Sequence, residues 1–163
     1  MMLLRAVVLT LGALLALPLA AASVSLPHDE YLPEDVYGQR VDRPEQVLFE
    51  VQRYSLTVGS ELRPGARPNE AQVSVSLLLD GRSLLPGSPV QRARLQFADG
   101  AGGQRGARLV EGGTLLLIHY PLALLPTIRQ MLDSPGEDYV QGRFYGNGLI
   151  WADLHSEPAA AAD

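Results

Sequence analysis

The residues best suited to chemistry gather near the C-terminus, where Asp153 and His155 stand two positions apart among Tyr139, Arg143, Tyr145 and Trp151. Side chains at i and i+2 of a β-strand point to the same side, so this carboxylate and imidazole share a face. Such a pair can orient an imidazole for acid–base work, and a third group from His119 or His28 would make it a metal site. The three histidines meet no recognised ligand spacing, however, and a carboxylate–imidazole pair is the ordinary outcome on a strand surface. Serine hydrolysis lacks its signature, because Gly-x-Ser-x-Gly is absent and Ser60, Ser83 and Ser88 all fall near turn residues. Nothing singles out two carboxylates as a glycosidase pair. No metal, no cofactor and no catalytic residue is therefore assigned.

The same region reads as a hairpin. Tyr139 to Tyr145 and Leu149 to His155 flank Gly146-Asn147-Gly148, and a three-residue loop sets Tyr145 opposite Leu149 and Phe144 opposite Ile150. That register gathers Val140, Phe144, Ile150, Ala152 and Leu154 on one face, which hydrophobic burial favours; a two-residue loop mixes the faces. The other face carries Gln141 and Leu149 together with the candidate binding residues Tyr139, Arg143, Tyr145, Trp151, Asp153 and His155. Trp, Tyr and Arg are the types enriched where binding energy concentrates. Arg143 opposite Trp151 is also spaced for a cation–π contact if the face is exposed. The competing reading is that a second layer, either the helix or the N-terminal arm, covers this face.

The elements that must position these groups are strands. Val47, Phe49 and Val51 alternate, then the phase slips to Tyr54, Leu56 and Val58, which implies a bulge near Gln52-Arg53. Val73, Val75, Leu77 and Leu79 form the clearest half-buried strand. Asp80-Gly81 reads as a hairpin turn, and Pro86-Gly87-Ser88-Pro89 as a break. Ala93, Leu95 and Phe97 oppose Arg92, Arg94 and Gln96, the two arginines leading towards a glycine-rich loop from Asp99 to Gly106. That loop can cradle an anion on backbone N–H groups but lacks the Gly-Lys-Ser/Thr ending of a phosphate loop. Arg108 to Glu111 and Thr114 to His119 flank Gly112-Gly113 as another hairpin. One short helix follows, with Pro126 in its first turn, Leu124, Leu125, Ile128, Met131 and Leu132 on one face, and Ser134-Pro135-Gly136 as its stop. About eight short strands and one helix predict an all-β fold, a small antiparallel β-sandwich or open barrel.

Met1 to Arg5 supply a short basic start, Ala6 to Leu19 an apolar run and Ala20-Ala21-Ala22 an Ala-x-Ala exit, the pattern of a secretory signal peptide. The run falls short of the roughly 18 residues of a spanning helix, and no second run follows. The expected order is a signal peptide over 1–22, an extended acidic Pro-containing arm over 23–46 with Tyr31 and Tyr37 as its large anchors, a single β domain over 47–158 and a disordered tail over 159–163. All 13 basic residues are arginine, and 18 acids bring the net charge to −5, which argues against general nucleic-acid binding. The absence of cysteine excludes a disulfide framework, a thiolate metal site and a lipid-modified N-terminus. Outer-membrane strands need about ten alternating residues and aromatic girdles, which one Trp, six Tyr and three Phe do not furnish. These features point to the periplasm of a Gram-negative bacterium, or to full secretion, after cleavage near Ala22. The expected function is a non-enzymatic binding or protein-interaction module, its partner a periplasmic protein or a cell-wall ligand, with no nucleic acid and no membrane anchor. The alternative is a small periplasmic hydrolase or metal-binding protein using Asp153 and His155, with His119 as a third group.

Overall fold

The computed structural model describes residues 27–31, 45–61, 63–67, 72–100 and 106–158. The expected signal peptide, most of the arm, the centre of the Asp99–Gly106 loop and the tail lie outside the described residues. Seven strands and a short helix follow in chain order: β1 (Glu45–Glu61), β2 (Gln72–Ser83), β3 (Arg92–Ala98), β4 (Arg108–Val110), β5 (Leu115–Pro121), α1 (Leu125–Leu132), β6 (Gly136–Phe144) and β7 (Ile150–Pro158). The strands make one sheet in the order β4-β5-β3-β2-β1-β6-β7, curled into a half-barrel. The all-β class and the single short helix are as expected. The described strands number seven, where the turn signals suggested about eight, and all lie in one sheet.

Alternation along the strands builds the core. Val47, Phe49, Val75, Leu77, Leu79, Ala93, Leu95, Phe97, Leu116, Ile118 and Val140 pack on the concave face, with Ile128 of α1 against them. Fully burying a side chain such as Phe49, Leu77, Leu95 or Leu116 contributes roughly 1.5–3 kcal/mol each. The curl brings distant strands together across this core. A Cβ added to Gly142 on β6 would meet the Leu116 side chain of β5 at 3.2 Å, and the Tyr120 hydroxyl of β5 meets the backbone of Leu154 on β7. Burial pushes the Tyr120 phenol up to about 12. Among the described residues, no helix is long and apolar enough to cross a membrane.

The phase slip in β1 is a register shift against β2 between Val51 and Arg53, as the sequence implies. Opposite it stands Gly81, paired with Val51. A Cβ there would fall 1.9 Å from the Glu50 carbonyl oxygen and 2.8 Å from the Phe49 ring. Asp80-Gly81 is therefore the interior of β2 and not the hairpin turn read from its sequence: the glycine permits close approach at the bulge. The real turn follows Ser83, where Gly87 adopts a φ of +77°. The Gly112-Gly113 hairpin joins β4 to β5 as expected, but β5 lies parallel to β3, a neighbour that local patterning does not reveal.

Candidate functional site

The β6–β7 hairpin forms in the register that apolar burial demands. The Tyr145 amide donates to the Leu149 carbonyl at 2.9 Å, and Phe144 pairs with Ile150, Arg143 with Trp151, Gln141 with Asp153 and Tyr139 with His155. Val140, Ala152 and Leu154 turn inward to the core. By strand alternation, Tyr139, Gln141, Arg143, Trp151, Asp153 and His155 turn outward together. The candidate face therefore exists as a contiguous row across two strands.

It is covered, and the cover is the arm. Residues Pro27 to Tyr31 lie over the row, with Asp29–Tyr31 wound into one 3-10 turn. Arg143, 1 % exposed, bonds through its guanidinium to the Asp29 carboxylate and donates from Nη2 to the Pro27 carbonyl at 2.7 Å. The guanidinium is thus committed to the arm, and the cation–π pairing with Trp151 considered for an exposed face gives way to an ion pair. Tyr139, Tyr145 and His155 are buried as well.

Asp153 organises the rest. Its Oδ2 accepts from the Trp151 indole N–H at 2.5 Å and from the Gln141 amide at 2.9 Å, and its Oδ1 meets His155 Nδ1 at 2.6 Å. His155 Nε2 in turn lies 2.8 Å from His28 Nδ1. An ionised Asp153 fixes the proton of His155 on Nδ1, which leaves Nε2 as the acceptor for His28 Nδ1–H and turns His28 Nε2 to the end of the chain. Tyr31 stacks on His155 with ring centroids 3.8 Å apart and planes 16° from parallel, and Tyr139 tilts against His28 at 4.6 Å. Burial holds the His28 imidazole below its ordinary value, the neighbouring His155 adding to the effect, while Glu157, Glu30 and Asp153 oppose it. His28 also carries a φ of 60°, a left-handed backbone that a residue other than glycine adopts at a cost of about 1–3 kcal/mol where its surroundings hold it. Two buried polar groups of the hairpin have no hydrogen-bond partner among the described residues, Gln141 Oε1 in the row and the Tyr145 hydroxyl just beyond it.

All six candidate residues of the face thus lie on the hairpin predicted for them. The hydrogen-bonded chain runs Asp153–His155–His28 and does not include His119. That histidine sits buried on β5 opposite Gln96, beside a groove of about 280 Å³ that Ser74 and Ser76 also line. Among the described residues no three His, Asp or Glu side chains are grouped to hold a metal ion. Arg92 and Arg94 both reach Glu111 of the β4–β5 turn, at 3.0 and 3.6 Å, rather than forming an open positive stripe. Sequence reasoning missed Asp29 as the partner of Arg143. The available signal was a buried-face arginine in need of a carboxylate, and the Asp29-Glu30-Tyr31 run in the arm. No family model, no curated protein and no solved structure matches this chain.

Proposed function

We propose that this chain is an exported, non-enzymatic interaction module whose outer β6–β7 face grips a short, turn-forming peptide segment carrying a carboxylate and, two residues on, an aromatic ring. In cis that segment is Pro27–Tyr31, with Asp29 and Tyr31 as the two readout positions. The observation that carries the reading is the commitment of the polar groups. Arg143 is spent on Asp29 and a backbone carbonyl, and the His155 ring is spent on Tyr31 and His28. A charged, planar donor fork, a stacking platform and a backbone-directed hydrogen bond are the means by which folded domains hold short peptides. Among the described residues Gln141 Oε1 and the Tyr145 hydroxyl have no hydrogen-bond partner, so a segment from a periplasmic partner that satisfied them would compete with the arm. Export follows from the leader pattern over residues 1–22, and the mass of the mature protein tests it, with Ser23 expected at its N-terminus.

The binding test uses Trp151, the chain's single tryptophan. A synthetic peptide spanning residues 25–33 is titrated into full-length protein carrying Asp29→Asn, which loosens the arm. The expected result is a saturable change in Trp151 fluorescence that the same peptide carrying Asp29→Asn does not produce. Wild-type protein should respond more weakly, because a tethered arm competes at an effective concentration on the order of millimolar. No response to either peptide would contradict the reading.

A further inference from the structure

The two sides of β1 are not treated alike along its length. β6 pairs only with Glu45–Glu50, whereas β2 pairs with β1 from Phe49 through to Glu61. Beyond the bulge, β1 is therefore an edge strand on the side away from β2, with no backbone partner there among the described residues. Natural proteins blunt such edges with proline, lysine or short length. This one runs Arg53-Tyr54-Ser55-Leu56-Thr57-Val58-Gly59-Ser60-Glu61, with neither proline nor lysine. Its apolar side chains are open to solvent, Leu56 at 40 % and Val58 at 65 %, and Val73 beside them on β2 at 68 %.

We infer that a second copy of this chain occupies this edge, the two β1 strands meeting antiparallel about a two-fold axis at Thr57. The order of residues on the edge is self-complementary in that register. With Thr57 opposite Thr57, Arg53 of each copy faces Glu61 of the other, Ser55 faces Gly59, Tyr54 faces Ser60 and Leu56 faces Val58. Arg53 and Glu61 have highly exposed side chains, 79 % and 70 %, and their present ion pairs, to Asp80 at 3.5 Å and to Arg63 at 3.9 Å, are long. Opposite charges placed directly across an antiparallel pair attract, and a pair of apolar side chains placed there excludes water. Thr57 is the midpoint of the stretch beyond the bulge, Arg53–Glu61, so this register uses every position of that stretch. Moving the axis to Ser55 would set Glu61 against Phe49, which β6 already covers, and moving it to Gly59 would leave Arg53 without its carboxylate. The arrangement satisfies the open backbone groups, merges two sheets into one and buries Leu56 and Val58 of both copies. It involves none of the residues of the β6–β7 face.

Sedimentation equilibrium on the full-length mature protein tests this, together with two sets of variants. The expected result is a dimer whose dissociation constant rises at least about tenfold with Val58→Lys, a substitution at an exposed site that leaves the core intact. Arg53→Glu alone should weaken the dimer by setting like charges opposite each other, and the double variant R53E/E61R should restore it. Because the chain has no cysteine, Thr57→Cys supplies a single thiol at the axis, and a short bismaleimide should join two copies there. The same substitution at Gln72, on the far strand of the hairpin, should give no cross-link. A protein that stays monomeric at millimolar concentration would overturn the inference. So would a dimer indifferent to Val58→Lys and to the charge swap, or an edge that binds an extended peptide as a monomer.

Discussion

The outer face of β6–β7 and the free half of β1 are neighbouring surfaces of one sheet with opposite treatments. The first is rich in charge and yet largely covered: Arg143 and Asp29 neutralise each other out of solvent, and Asp153 holds three donors. The second is weakly charged and apolar and yet open, with Val58 and Val73 in solvent. Simple burial would predict the reverse. The polar groups are engaged with the chain's own segment while the apolar edge stays uncovered, which is the distribution expected on the two proposals, a face that discriminates and an edge that associates.

The largest effect should come from breaking the covered side. Asp29→Asn leaves a buried guanidinium without a countercharge, a loss of about 3–5 kcal/mol if the segment stayed docked. The segment can leave instead, so the measured loss in urea unfolding should be capped near its docking free energy, and amides 28–31 should become fast in hydrogen exchange.

Next is the boundary between the two treatments. Gly81→Ala drives a methyl into the Glu50 carbonyl, and because the obstacle is backbone it cannot be relieved by a rotamer; a loss of about 3 kcal/mol is expected, read as a lower urea midpoint. The bulge that separates the paired from the free half of β1 would straighten or the strand would detach.

A smaller effect sharpens the comparison through pH. His28 docks neutral, with its pKa lowered from 6.5 and with His155, Asp153, Glu157, Glu30, Tyr31 and Tyr139 around it. As pH falls below about 6.5, the undocked segment takes up a proton more readily than the docked one. Docking strength is therefore present above that pH and is lost as pH falls through the lowered pKa of His28. Trp151 fluorescence followed from pH 8 to 5 should report release, and His28→Gln should flatten the profile. Dimerisation through β1 should not follow this titration.

The smallest effect belongs to the junction itself. The Tyr54 hydroxyl bonds Asp133 just beyond α1 in a solvent-exposed setting, so Tyr54→Phe should cost about 0.5–1 kcal/mol in thermal or urea unfolding.

Much of this architecture was legible from local patterns. The hairpin register around Gly146-Asn147-Gly148, the β1 bulge and the α1 boundaries all rest on periodicity and turn chemistry, which act over a few residues. Gly81 misled because aspartate–glycine marks a turn when read alone, and only the approach of Glu50 from another strand gives this glycine its purpose. The parallel β3–β5 contact depends on where the chain returns after a long connection, which no window of sequence contains. The site shows the same division. Its six β6–β7 residues followed from alternation, whereas the arm's role depended on an ion pair spanning more than a hundred residues, Arg143 to Asp29. Burial of the row under either the helix or the arm was foreseeable as an alternative; which of the two covers it, and through which residues, was not.

The most direct test of the account is the solvent exchange of the Trp151 indole proton, a single resonance in this chain. That proton is held on the part-buried Asp153 carboxylate, which also holds the His155 ring that meets the arm, so the account predicts slow exchange in the wild type and fast exchange in Asp29→Asn, with the core amides unchanged. Equal exchange in the two proteins would contradict it.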